Sequence, residues 1–213
     1  MSIRLGFFGT IVNMQQQFLD YIKDEQKFLV ICSQPLDLDS IGSGLVIKKY
    51  LESLGKEVNL VFPRNFSEIE KNNFNYLPYF NEVQDGDTRK FFNSKQFDVV
   101  VFVDGTSLTQ YFDSDHDRDV IPDINIYDKR IHVDHHLKLI DPLGKLIIHD
   151  NKIGSTMEVI LTYITPMDFF DKETATLAYG SLCGDTGNFR YAFTDKTLVL
   201  AAKMLEKGAD DKL

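Results

Sequence analysis

The sequence predicts an α/β protein built on a doubly wound parallel sheet with helices on both faces. Two runs carry the prediction: KFLVICS (27–33) and DVVVFVD (98–104) are continuously apolar, as strands buried on both faces must be. A third observation is the alternation of such runs with helical patterns, which is the signature of strand–helix–strand units.

The elements follow in chain order. Residues 11–25 place Ile11, Met14, Phe18, Leu19 and Ile22 at helical spacing. After strand 27–33, DSIGSGLVIKKYLESLG (39–55) reads as a helix with Ser40 as N-cap, a stripe of Ile41, Leu45, Leu51 and Leu54, and Gly55 at the C-terminal cap. EVNLVF (57–62), 98–104 and RIHVD (130–134) are strands, and 154–164, 172–183 and 195–208 are helices, the last closed by Gly208. Segments 63–95 and 105–129 are polar, aromatic and punctuated by Pro and Asp, and are expected as loop-rich insertions. Within the first, Phe66, Phe74, Tyr76, Tyr79 and Phe80 suit loop packing better than a base-stacking surface.

Composition narrows the function classes. The chain has 213 residues, 43% hydrophobic and 26% charged, with 23 basic against 32 acidic side chains and a formal charge of −9. That balance argues against binding extended duplex nucleic acid, which needs a Lys/Arg surface. No apolar run reaches the roughly 18 residues of a membrane span, so no membrane partner is expected. The two cysteines, Cys32 and Cys183, provide no disulfide framework and are read as packing residues; a reduced, cytoplasmic protein is the expectation. No glycine-rich dinucleotide or ATP phosphate loop is present.

Four stretches concentrate candidate ligands: SQPLDLDSIGSG (33–44) with Asp37 and Asp39, VVVFVDGTS (99–107) with Asp104, IHVDHH (131–136) with Asp134, His135 and His136, and GSLCGDTGNFRY (180–191) with Asp185 and Arg190. Three of them follow predicted strands, and ligands of open parallel sheets bind beyond the carboxyl ends of the strands. Each admits a bland reading by itself, such as a helix start for Asp37 and Asp39 or a turn for Asp104. Together they demand a counter-charge, since two unit charges at ~4 Å repel by about 4 kcal/mol at an effective dielectric near 20. Hard carboxylate oxygens with one or two imidazoles suit Mn²⁺ or Mg²⁺, and a pair of such ions activates water against phosphorus.

In these motifs the chain resembles the DHH phosphoesterase superfamily: VDHH (133–136) matches its naming motif, LDLDSIGSG its first, VDG its second and GDTGNFRY its fourth. The resemblance spans about 15–210, so 1–213 is expected as one DHH catalytic-type domain. It is closest to members that hydrolyse short oligonucleotides and 3′-phosphoadenosine-5′-phosphate (pAp). It implies two Mn²⁺ or Mg²⁺ ions, one on Asp37 and Asp104 and one on Asp39, Asp104, His135 and Asp185, with Asp104 shared. It further implies that Asp134 orients an imidazole, that His136 contacts the scissile phosphate and that Arg190 clamps phosphate. A small nucleotide or short oligonucleotide is the implied substrate, and pairing into a homodimer through sheet edges or helices is compatible with it.

Two departures set the alternatives. Where the superfamily's first motif usually has a His, this chain has Ser33, which weakens the first ion position. The superfamily's C-terminal substrate domain carries a Gly-rich His loop, and no such loop occurs in these 213 residues. A catalytically weakened metal- or nucleotide-binding module is therefore the rival reading. Inorganic pyrophosphatase activity ranks lower, because no Lys/Arg cluster for pyrophosphate is evident.

Overall fold

The computed structural model describes residues 7–112 and 121–212. Six parallel strands form one sheet in the order β3-β2-β1-β4-β5-β6: β1 (Lys27–Cys32), β2 (Glu57–Phe62), β3 (Gln84–Asp85), β4 (Val99–Val103), β5 (Lys129–Asp134) and β6 (Leu146–His149). The apolar runs lie where their pattern requires. β1 is central, with Val30 paired to Leu60 on one side and Val101 on the other, and every residue of β4 is buried. The chain order reverses between β1 and β4, so the crevice of this doubly wound sheet opens beyond their carboxyl ends.

The helices are α1 (Phe7–Ile22), α2 (Leu38–Ser53), α3 (Glu68–Phe74), α4 (Thr88–Asn93), α5 (Thr156–Tyr163), α6 (Lys172–Asp185) and α7 (Asp195–Glu206). One face of the sheet carries α2 and α5, with α6 packed outside α2. Phe18 and Ile22 of α1 are buried as the spacing predicts, while the side chain of Ile11 lies outside the described residues. Caught between sheet and α6, α2 is buried around most of its girth rather than along one stripe, and Leu54 is exposed. Its N-cap is Asp37, not Ser40: the Asp37 carboxylate accepts from the Ser40 amide at 2.8 Å, and Ser40 Oγ donates instead to the Ser33 carbonyl.

The insertions are more ordered than their composition predicts. Segment 63–95 holds α3, β3 and α4, and Phe66 stacks on Phe62 and leans on Phe80, with Phe74 beside them, so these rings are packed. The edge strand β6 also escapes the sequence pattern, because LIIH is short and half-exposed. Residues 113–120 of the second insertion lie outside the described residues. The remainder of it, with α4, covers the other face of the sheet: Phe92, Phe102, Tyr111, Phe112 and Tyr127 form a ring cluster over Leu29, Ile31 and Val100. That face is therefore closed by a short helix and aromatic loops. No described helix is long and apolar enough to cross a membrane.

The α2–α6 contact is close because Gly42 lacks a side chain; a Cβ there would sit 2.0 Å from Ser181 Oγ. Gly42→Ala is expected to destabilise the protein by about 1–3 kcal/mol, read as a lower urea midpoint. Adding Ser181→Ala removes the colliding oxygen and should recover part of that loss. An unshifted midpoint for Gly42→Ala, or additive losses in the double variant, would contradict this packing.

Candidate metal centre

The crevice is lined by the turns that leave β1, β4 and β5 and by the facing ends of α5 and α6. Asp39 stands in the first turn of α2 with its side chain fully buried. Its carboxylate accepts the Thr156 amide (2.6 Å), the Met157 amide (3.0 Å) and the Ser43 hydroxyl (3.2 Å). Asp39 of α2 is thus held by the amino end of α5, where unpaired N–H groups and the helix dipole favour an anion. The Thr156 hydroxyl reaches the next carboxylate, donating to Asp104 Oδ1 at 2.8 Å.

Asp104 ends β4 in the left-handed region, φ 61°, a conformation that Asp adopts more readily than most residues. Its amide donates to the Val133 carbonyl (3.0 Å), and its own carbonyl accepts the Ser33 hydroxyl. Beyond β5, His135 directs Nε2 into the cluster, 2.9 Å from Asp185 Oδ2, 3.8 Å from Asp104 Oδ1 and 4.0 Å from Asp39 Oδ2. His135 Nδ1 lies 3.4 Å from the Ile153 carbonyl, which can only accept, so the proton belongs on Nδ1. Its Nε2 is buried and has no aligned hydrogen-bond partner.

Charge and burial act together here. Burial, followed by repulsion from Asp185, pushes the Asp39 carboxyl well above the usual carboxylate range; burial and the charges of Asp39, Asp37 and Asp185 do the same to Asp104. Burial lowers His135, but the Asp185 and Asp39 carboxylates outweigh it and raise the imidazole to about 9. An imidazole whose far nitrogen is tied to a backbone carbonyl and whose buried near nitrogen faces several carboxylates fits a divalent cation: the arrangement supplies hard oxygens, one nitrogen and excess negative charge.

The predicted site residues sort as follows. Asp39, His135 and Asp185 bring ligand atoms within 4.8 Å of one another, as do Asp104, His135 and His136. The member common to both sets is His135, where the resemblance makes Asp104 the shared one. A ring nitrogen has one lone pair, so His135 serves one ion at a time. Asp37 faces the cluster closely enough to raise Asp104, yet one of its oxygens is engaged as the α2 cap. Asp134 is fully buried and grips His136, accepting its amide (2.6 Å) and approaching its Nδ1 (3.1 Å). Burial opposes ionisation of Asp134, but the bond to His136 prevails and lowers its pKa. The His136 ring is half-exposed, and its Nδ1 also lies 4.0 Å from Asp104 Oδ1. Arg190 is exposed on the turn after α6, and its guanidinium bonds no described residue. The sequence pattern missed Thr156; GST (154–156) reads only as a helix start, and its proximity to Asp39 and Asp104 spans more than fifty residues.

Comparison with known proteins agrees with this architecture. The sequence matches the model of the DHH family, N-terminal domain, over residues 27–182. An exopolyphosphatase-related protein from Bacteroides fragilis is similar in structure, with a TM-score of 0.74 at 24% identity over 93% of this chain and 58% of its own. A protein of Methanococcus jannaschii assigned as a family II inorganic pyrophosphatase has a TM-score of 0.59 at 19% identity, over 86% of this chain and 57% of its own. At such identities the likeness is one of fold, and the chain spans less than two thirds of either neighbour. Curated proteins give no sequence match. With the family model covering most of its length and the D-H-H triplet 134–136 at the end of β5, the chain belongs to the DHH family through its N-terminal domain.

Proposed function

We propose that this protein is a divalent-metal-dependent phosphoesterase acting on a nucleotide or short-oligonucleotide phosphoester. The observation that carries the reading is the convergence of the Asp39, Asp104 and Asp185 carboxylates around the buried His135 Nε2, each within 4.0 Å of it. Membership of the DHH family supports a hydrolase acting on phosphate bonds. A bound Mn²⁺ or Mg²⁺ would supply Lewis acidity, lower the pKa of water and neutralise charge on phosphate oxygens.

The chain's own groups have separable roles in this reading. Asp39, Asp104, His135 and Asp185 hold the ion. Thr156 and the α5 amides hold two of those carboxylates still, which avoids reorganisation during the reaction. His136, steadied by Asp134, presents a half-exposed imidazole that can meet a phosphate oxygen or pass a proton to the leaving group. A second ion, on Asp37 and Asp104, would lack an imidazole, because Ser33 stands at that position with its hydroxyl given to the Asp104 carbonyl.

For the substrate, a cleft of about 270 Å³ lies alongside α6, walled by Leu38, Tyr76, Tyr179 and Gly184, whose chain neighbours include Asp37, Asp39 and Asp185. Aromatic walls suit a base. Inorganic pyrophosphate or polyphosphate is the second reading, favoured by the descriptions of the two structural neighbours.

The decisive assay offers pAp, a dinucleotide, pyrophosphate and polyphosphate with Mn²⁺. Hydrolysis of pAp or the dinucleotide is expected, and Asp104→Asn should reduce it to background; turnover retained in that variant rejects the site, and turnover confined to pyrophosphate or polyphosphate rejects the substrate class. Titration calorimetry should find one tight Mn²⁺ equivalent and a second, weaker one; two equal equivalents would contradict the role given to Ser33. Because His135 holds its proton up to about 9 and must lose it to bind an ion, affinity should rise with pH up to that value. At pH 7 the binding enthalpy should therefore shift with the ionisation enthalpy of the buffer by about one proton or more. A buffer-independent enthalpy would remove His135 from the ligand set.

A further inference from the structure

Beneath the acidic cluster lies a second set of polar groups that the mechanism above does not use. His132 and Tyr111 are both fully buried in the sheet and the aromatic layer behind it. Both converge on one atom, the Gly105 carbonyl oxygen: His132 Nε2 lies 2.7 Å from it and Tyr111 Oη 2.9 Å. The proton positions follow from the partners. The Leu143 amide, which can only donate, points at His132 Nδ1 at 3.3 Å, so Nδ1 is an acceptor and Nε2 carries the hydrogen. The Gly105 oxygen thus accepts two donors. One residue earlier, the Asp104 carbonyl accepts the Ser33 hydroxyl and the Asp104 amide donates to Val133.

Every backbone polar group from the Asp104 amide to the Gly105 carbonyl, apart from the Gly105 amide, is therefore tied down at the point where the chain leaves β4 with φ 61°. Space is equally restricted. A Cβ on Gly105 would lie 2.8 Å from both Ser33 Cβ and Tyr111 Oη, so the turn is wedged between β1 and the aromatic face. A strained, non-glycine conformation persists only where its surroundings over-determine it. The consequence is directional: the Asp104 side chain projects toward Thr156 and His135, with Oδ1 2.8 Å from Thr156 Oγ1.

We infer that His132 and Tyr111 are positioning residues for the metal centre, which through their two bonds to the Gly105 carbonyl hold the Asp104 carboxylate where a divalent ion needs it. The inference rests on the reading of this crevice as a divalent-ion site. Neither residue reaches the ion; they act on the ligand's backbone, as hydrogen bonds behind metal ligands commonly do. Ser33 works in the same way from the β1 side, so that the position where the superfamily usually has a His here serves as a backbone clamp.

The test separates positioning from simple stabilisation by means of a matched control. Tyr127 is buried in the same aromatic layer and donates one hydrogen bond, to the Phe92 carbonyl at 2.8 Å, away from the Asp104 turn. Tyr111→Phe, Tyr127→Phe, His132→Leu and His132→Gln are compared by Mn²⁺ titration calorimetry and by urea midpoint. Tyr111→Phe and His132→Leu are expected to weaken Mn²⁺ binding by about tenfold or more. Tyr127→Phe should lower the urea midpoint like Tyr111→Phe and leave Mn²⁺ affinity unchanged. His132→Gln keeps a donor at the Nε2 position and should recover most of the affinity lost in His132→Leu. If Tyr111→Phe binds Mn²⁺ like the unaltered protein, or if Tyr127→Phe weakens it equally, the inference is overturned while the metal reading stands; this arm holds even if the His132 variants do not fold. An unaltered protein that binds no Mn²⁺ overturns the metal reading and this inference with it.

Discussion

The dominant constraint in this structure is negative charge gathered in a largely buried crevice. Asp39 and Asp104 are buried outright, and Asp37 and Asp185 stand close enough to raise their pKa values. No packing force favours such an arrangement, since desolvation and mutual repulsion both oppose it. The protein offsets part of the cost with fixed dipoles: two amides and a hydroxyl at the start of α5, the Ser43 hydroxyl, and the imidazole of His135. These donors also set where each oxygen points. What they leave over is a surplus of negative charge around an imidazole that can give up its proton to a metal ion, which is the electrostatic description of a cation site.

The rest of the fold can be understood as holding that site open. In the strand order β3-β2-β1-β4-β5-β6 the connections from β1 through β2 to β3 run one way along the sheet, and those from β4 through β5 to β6 run the other way, which leaves a crevice beyond the carboxyl ends of β1 and β4. Ligands delivered by β1, β4 and β5 therefore reach the same opening. On one face α2, α5 and α6 supply the carboxylates and the dipole that steadies them. On the other face the aromatic layer does more than bury β1 and β4: through Tyr111 and His132 its polar edge reaches the backbone that carries Asp104. Core and site are thus mechanically continuous.

Much of this is legible in the amino-acid sequence. A run such as VVVFV has no polar face and can only be a strand buried on both sides, and Asp104 and Asp134 declare themselves by their place at the ends of such strands, while Asp185 stands at the end of a helix. The aromatic insertions were harder to read. Phe92, Tyr111, Phe112 and Tyr127 are scattered among polar residues with no regular period, and they become a layer only because the sheet beneath them has an uncovered face. The short edge strand β6 was hidden for the opposite reason: four residues, half exposed, leave too little periodicity to count.

Local pattern was sufficient for the class of fold, for the identity of the acidic residues and for their place at the ends of strands and helices, because burial and helix or strand period are written within a dozen neighbouring residues. It could not say that Asp37 would cap α2, that Ser33 would bond the Asp104 carbonyl, that Asp134 would grip His136 rather than His135, or that Thr156 would join Asp39 to Asp104. Those pairings, apart from the capping of α2 and the bond within 134–136, link segments fifty to more than a hundred residues apart. Only the folded arrangement of crossovers brings them within hydrogen-bond reach, and hydrogen bonds demand a precision of tenths of an ångström that no periodicity conveys.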